Sequence, residues 1–305
     1  MNSNSDAVVS AEITERIHRL PIWTSAITLK PLSGGLSNQS FTVVDGGDTF
    51  VVRFGVDYPF HHVSRERELM AAKAAFETGL APEVVHAESG VMVSRFIDAR
   101  TFDAEDVAAN IGRVAKLVGR FHNEMPERVS GAGFMFWVFH VVRDYAATLE
   151  QGNSRKKNEL SRYLRLNRQL EKAQTPLPII YGHNDLLPAN ILDDGSRLWL
   201  IDFEYGGFST AMFDLAGIAS NAQFDDQQCA ELLEHYFGAD IAPNIARSHA
   251  AMQCASLLRE AMWSMVSELH LDTPGVDFEA YTEENLQRLE TAVVAYQNRF
   301  GKLSD

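Results

Sequence analysis

The residues with most to offer chemically lie in one stretch, YGHNDLLPANIL at 181–192, and in WLIDFEY shortly after it. Asp185 and Asn190 stand in a D-x-x-x-x-N frame between two apolar runs, and Asp202 follows a hairpin signal at Asp193, Asp194 and Gly195. An aspartate, an asparagine and a second aspartate in that order are the parts phosphoryl transfer needs: a carboxylate that takes the proton of an attacking hydroxyl, and hard oxygen ligands for Mg²⁺. Asp185 is the expected base, and Asn190 and Asp202 are the expected metal ligands. With base and one ligand on a short loop and the other ligand on the adjacent hairpin strand, backbone hydrogen bonds rather than flexible side chains set the distances. Taken singly, each residue is as well explained as a local turn or cap former. The set, in this order, points to a site.

Other elements must carry that loop. β-Branched and aromatic runs with glycine-rich punctuation across 26–54 predict consecutive strands, with Ser33, Gly34 and Gly35 in the first turn and Asp45, Gly46 and Gly47 in a hairpin. Arg53 then sits near a strand end. SRERELMAAKAAFETG predicts a helix with Leu69, Ala72 and Phe76 on one stripe, Ser64 as N-cap and Gly79 as stop. Two further strands follow around a turn at 88–90, and from about residue 104 helical patterns dominate. AEDVAANIGRVAKLVGRFHNE, QCAELLEHYFG and the stretch from Ile245 to His270 are each amphipathic, and between them lies one sheet-like island at 176–205, with 178–181 and 191–192 as buried strand ends. The expected fold is α+β: a tail and lead-in helix over 1–25, a small antiparallel-sheet lobe over 26–96, and a larger, mainly helical lobe over 97–305, joined near 94–98.

Composition narrows the partners. The chain has 305 residues, 46% of them apolar, enough for a substantial core. Its 27 basic and 41 acidic residues leave a net charge of −14, which argues against nucleic acid or an anionic membrane surface as a partner. Cys229 and Cys254 have neither disulfide-framework nor zinc spacing. A polar N-terminus without an apolar leader and no run near the roughly 18 apolar residues of a membrane span lead us to expect a soluble, cytoplasmic protein. Oligomeric state is left open.

HNDLLPANIL followed by IDFEYGGFSTAMFDLA resembles the catalytic signature of choline/ethanolamine kinases, within the aminoglycoside-phosphotransferase and protein-kinase-like fold. The likeness extends to LSGGLSN, VVRFG, RERE, LLREAMW and DFEAYTEENL, over about 30–290. It implies a bilobal, protein-kinase-like enzyme that uses ATP and Mg²⁺ to phosphorylate the hydroxyl of choline, ethanolamine or a related aminoalcohol. The alternatives are a kinase of the same fold for an aminoglycoside, homoserine, thiamine or a sugar, and a nucleotide-binding pseudokinase. Asp185 is then the base, and Asn190 and Asp202 hold Mg²⁺. Arg53 takes the place of the usual phosphate-binding lysine, there being no lysine between Lys30 and Lys73. Glu68 is its expected ion-pair partner, with Glu66 as the alternative. Ser33, Gly34, Gly35, Ser37 and Asn38 would cover the phosphates, although they lack G-x-G-x-x-G spacing, and the segment from Ser94 to Phe96 would meet the adenine edge.

For a cationic acceptor the chain offers aromatic faces and carboxylates: Tyr205, Trp263, Phe278 and Tyr281, with Glu204 and Glu260. The match is incomplete. Glu260 stands where eukaryotic choline kinases have a second tryptophan, and Asn221 stands near a usual acidic position, which implies a primary or small amine rather than a quaternary ammonium. By the same resemblance His183 braces the loop through backbone. Asp214 either caps a helix beginning at Leu215 or supports the loop from below, and His61 and His62 are expected at the surface.

Overall fold

Alternation along the first strands decides which side chains face the cleft. In a computed structural model, which describes residues 11–32, 38–239, 241–273 and 275–304, helix α1 (Ala11–Arg19) leads into β1 (Ile27–Leu32), β2 (Gln39–Asp45) and β3 (Asp48–Phe54). Helix α2 (Arg65–Glu77) follows, then β4 (Val84–Glu88) and β5 (Val91–Arg95). The five strands form one antiparallel sheet in the order β1-β2-β3-β5-β4. Phe50 and Val52 of β3 point into a small core with Ile17, Phe41, Val43 and Val93, so by the period of two Arg53 lies on the opposite face. Asp45 accepts from the backbone N–H groups of Thr24 and Ser25 at 2.7 and 2.8 Å and ties the lead-in to the sheet.

Ser64 caps α2, and Gly79, at φ +71°, ends it in the left-handed region that glycine enters without strain. The expected apolar stripe is different in one respect. Phe76 is 43% exposed, and the helix packs through Ala71, Ala72, Ala74 and Ala75. Small side chains bring the helix close to its neighbours and leave no room for a phenyl ring on that face.

The second lobe begins with β6 (Arg100–Thr101), α3 (Ala104–Ala109) and α4 (Ile111–Glu124). The long amphipathic pattern from 104 is thus two helices, broken at Asn110, whose side chain turns back to bond the carbonyl of Asp106 at 2.8 Å. Next come α5 (Val138–Gln151), α6 (Leu160–Lys172), β7 (Ile179–Gly182), β8 (Ile191–Asp193), β9 (Leu198–Leu200) and β10 (Gly207–Thr210). The chain ends in α7 (Ala211–Asn221), α8 (Asp226–Phe237), α9 (Pro243–His270) and α10 (Phe278–Phe300). Helix α9 runs through the core and packs on α5, α6, α7 and α10. Two small sheets, β7 with β10 and β6-β8-β9, are set into this bundle. Tyr181 and Ile191 are buried strand ends as expected, whereas Ile179 is exposed at the outer end of its two-stranded ribbon. Among the described residues no helix is long and apolar enough to cross a membrane.

Candidate active site

The loop from β7 to β8 is held from beneath by one carboxylate. Asp214 is 1% exposed; its Oδ2 accepts from the backbone N–H of His183 and its Oδ1 from that of Asn184, both at 2.7 Å. His122 Nε2 lies 2.8 Å from the same Oδ2 and relays to Tyr236 Oη through Nδ1. Burial alone would raise the Asp214 pKa, but the His122 contact and the backbone N–H groups hold it below the usual carboxylate value. Of the two roles open to Asp214, support of the loop is the one the contacts match. Helix α7 begins at Ala211, with Thr210 at its cap.

Asn184 sits in the left-handed region at φ +62°, and its amide donates among the carbonyls of Gly182, Tyr205 and Gly207. His183 is fully buried with Nε2 3.0 Å from the carbonyl of Ile201, so it braces the loop through backbone. Asn190 Nδ2 donates to the carbonyl of Asp185 at 2.9 Å, and the carbonyl of Asn190 accepts from Ile201 at 3.1 Å. These bonds join the Asp185 loop to the strand that delivers Asp202, itself at φ +68°. Strained backbone of this kind collects at functional sites.

Charged side chains connect the two lobes. Arg53 on β3 forms an ion pair with Glu68 on α2 and donates to Asp202 Oδ1 at 2.6 Å. Glu68 is 2% exposed and also accepts from Arg65 at 2.6 Å, and Arg65 reaches Glu204 at 3.1 Å. Glu66, the alternative partner for Arg53, is exposed. Burial would push the Asp202 pKa up, but Arg53 draws it below the normal range. Asn38 donates to Glu204 at 3.4 Å. Gly55 permits this crowding, since a methyl group there would lie 2.5 Å from Asn38 Oδ1 and 2.8 Å from Arg65 Nε. Ser33, Gly34, Gly35 and Ser37 lie outside the described residues. Ser94 pairs within the sheet, the N–H groups of Arg95 and Phe96 bond the carbonyls of Glu83 and Thr49, and the Phe96 ring is 38% exposed.

On the far side of Asp185 a second group of residues converges. Tyr205 Oη accepts from Trp263 Nε1 at 3.0 Å, and Tyr281 Oη donates to Glu260 Oε1 at 2.9 Å. Phe278 is buried edge-on to Trp263 at 6.2 Å. Arg259 donates to Glu260 Oε2 at 2.9 Å, and its guanidinium lies 4.5 Å from the Tyr205 ring centre. Asp185 keeps some exposure, yet the protein packed around it raises its pKa well above normal; Arg259 opposes the rise, and Glu260, Asp202 and Glu204 add to it. Asn221 donates to the carbonyl of Leu186 at 3.3 Å, a structural contact.

With this geometry in view, comparison with known proteins is informative. A family model described as choline/ethanolamine kinase matches residues 29–229. The chain belongs to this family. Among relatives of this kinase, a probable ethanolamine kinase of Arabidopsis thaliana is 25% identical over 304 residues, covering 87% of this chain and 80% of the relative. A solved choline/ethanolamine kinase family protein from Mesorhizobium loti is 28% identical, with a TM-score of 0.75 over 92% of this chain and 94% of that one. The choline kinase LicA of Streptococcus pneumoniae, at 21% identity and a TM-score of 0.76 over 93% and 98% of the two chains, shares the fold. The bilobal, protein-kinase-like fold expected from the sequence is the fold of the kinase.

Three residues of the site escaped the sequence reading. His61, expected at the surface, is 2% exposed: it stacks on Trp263 at 5.1 Å and reaches Tyr145 Oη and Ser267 Oγ at 3.2 and 2.8 Å. A one-turn helix at Pro59–His61 drives it inward, and no periodic pattern signals so short an element. His62 is partly buried and pairs with Asp144 at 3.1 Å. Arg259 carried a usable signal. From 248 to 267 the sequence contains no Lys, Arg, Asp or Glu except Arg259 and Glu260, and an isolated opposite pair in an otherwise uncharged helix marks a buried charge.

Proposed function

We infer that this kinase transfers the γ-phosphate of ATP to the hydroxyl of choline, ethanolamine or a related small aminoalcohol. The observation that carries this reading is the convergence of Asp185, Asn190 and Asp202 beside an Arg53–Glu68 pair. In this reading Asp185 takes the proton of the attacking hydroxyl. Its raised pKa gives a strong base once ionised, and the cationic groups of the loaded site favour that ionised form.

Asn190 and Asp202 suit Mg²⁺. The Asn190 amide nitrogen is spent on the Asp185 carbonyl, so oxygen is the end it offers to a cation. The described residues contain no cluster of three His, Cys, Asp or Glu side chains able to hold a metal ion. A Mg²⁺ that arrives with the nucleotide would need no such cluster, since Asn190 and Asp202 would supply the protein ligands. Bound there, such an ion would supply positive charge against the phosphates. Arg53, fixed by Glu68, would give phosphate oxygens a permanent charge, with 33–38 covering them and 94–96 at the adenine edge. Glu204, Tyr205, Glu260, Trp263, Phe278 and Tyr281 would enclose the acceptor.

ADP release measured over a panel of choline, ethanolamine, aminoglycosides, homoserine, thiamine and sugars tests the reading. An aminoalcohol should turn over best, and turnover confined to another class would refute it. Asp185→Asn should keep the melting temperature while kcat falls at least about a thousandfold, the scale of a lost general base with its positioning.

A further inference from the structure

Little aromatic surface at the acceptor end remains for an incoming ammonium. Trp263 is 9% exposed, with the His61 ring stacked on it and Phe278 and Tyr281 against it edge-on. Tyr205 is 5% exposed and carries the Arg259 guanidinium over its face. Cation recognition by a ring requires an open face, and both rings already have partners.

Arg259 is in the opposite position. It is 4% exposed; Nη1 bonds Glu260, while Nε and Nη2 are buried without a hydrogen-bond partner among the described residues. Those two N–H groups form one edge of the guanidinium, an edge suited to oxyanion oxygens. Arg259 lines a cleft of about 20 Å³ with Asp185, Asn221, Glu260 and Ser220, whose hydroxyl is likewise buried and unpartnered. Buried donors without acceptors cost stability, a cost usually retained for a reason. The cleft has room for about one water-sized group, so it receives a single oxygen of a ligand rather than its body. Arg53 and Arg65 face Asp202 and Glu204, whereas Arg259 stands with Asp185 and Glu260, away from the expected nucleotide contacts.

We propose that Arg259 holds, at its Nε–Nη2 edge, one oxygen of an oxyanion carried on the acceptor molecule beside the hydroxyl that Asp185 serves. The inference rests on reading the chain as an aminoalcohol kinase, and it narrows the acceptor. Two sources provide the oxyanion: a carboxylate on the acceptor itself, or the phosphoryl group once it has passed to the acceptor oxygen. Glu260 is left as the counter-charge for the amine.

The test compares the wild type with Arg259→Gln and Arg259→Lys, using ATP and Mg²⁺ with ethanolamine and with serine, which is ethanolamine bearing a carboxylate. Calorimetric binding of phosphoethanolamine and of ethanolamine completes the set. If the carboxylate is the ligand, the wild type phosphorylates serine, and the serine-to-ethanolamine ratio of kcat/KM falls at least about tenfold in Arg259→Gln. If the transferred phosphoryl group is the ligand, affinity for phosphoethanolamine relative to ethanolamine falls by at least about tenfold instead. Ratios on one protein sample cancel any loss of folded enzyme, and Arg259→Lys, which keeps the charge but not the fork, gives the same comparison if Arg259→Gln does not fold. Both ratios within about twofold of wild type would overturn the proposal. Absence of ADP release with every aminoalcohol in the wild type would instead overturn the functional reading beneath it.

Discussion

Asp214 never meets a substrate in this reading, yet it decides where Asp185 stands. Its two oxygens take the N–H groups of His183 and Asn184, the two residues immediately before Asp185, while His122 supports it from behind. An asparagine there is isosteric but presents an NH₂ group to one of those N–H donors, leaving a buried donor facing a donor. Asp214→Asn should therefore destabilise the fold by about 2–4 kcal/mol in urea unfolding and lower kcat more than it changes KM. An unchanged unfolding midpoint and kcat would show that the loop holds itself. The same residues mark what a sequence reveals at this scale. The order Asp185, Asn190, Asp202 was legible because it is local, and the brace role of His183 came with the family resemblance. The burial of His61 and the contact between Arg259 and Tyr205 were not legible, because each is fixed by partners far along the chain.

Helix α2 is the element that makes one unit of the cleft. Its first two turns present Arg65 and Glu68, so that Arg53, Glu68, Arg65 and Glu204 form a continuous chain of charges from β3 to the segment after Asp202. Glu68 holds two arginines at 2% exposure, and neutralising it leaves both guanidinium groups undercompensated, with Arg53 drawn wholly to Asp202. Glu68→Gln should lower kcat/KM for ATP by about 10–100-fold and reduce the melting temperature, whereas Glu66→Gln, on the exposed side of the same turn, should leave both near wild type. Equal effects of the two substitutions would refute the network. Elements were predictable wherever periodicity and end chemistry agreed, as in the hairpin at Gly46 or the Ser64 cap and Gly79 stop of α2. They were misread where one signal spoke alone. Phe76 fits a helical stripe but faces solvent because the close-packed face is alanine, and Asn110 breaks a pattern whose apolar period continues across it.

For the molecule as a whole, buried neutral histidines favour unfolding in acid. Burial, assisted by Arg259, lowers the His61 pKa to about 2, and burial takes His249, whose Nε2 lies 3.3 Å from the Leu215 carbonyl, to about 4. In the unfolded chain both return to roughly 6.5. Below that pH the unfolded state binds protons that the folded state refuses, so unfolding is favoured as pH falls. Each such histidine contributes a slope of up to about 1.4 kcal/mol per pH unit between its unfolded and folded values. Carboxylates held below their normal range, such as Asp202 and Asp214, act in the same direction but only as pH falls through their unfolded value of about 4. Asp185 and Glu204, whose pKa values burial raises, act in the opposite direction, so between pH 6.5 and 4.5 the histidine contribution is isolated by comparing a histidine variant with the wild type. His249→Gln keeps a donor for the Leu215 carbonyl and removes the titration, so its stability, measured by urea unfolding at half-unit steps, should fall less steeply than that of wild type over this window. The difference should approach one proton at pH 5, which is about 1.4 kcal/mol per unit, and should vanish above pH 7.5. Because the loss of negative charge repulsion on acidification is common to both proteins, it cancels in the comparison. Parallel curves through the whole window would mean that His249 accepts its proton in the folded state as readily as in the unfolded one.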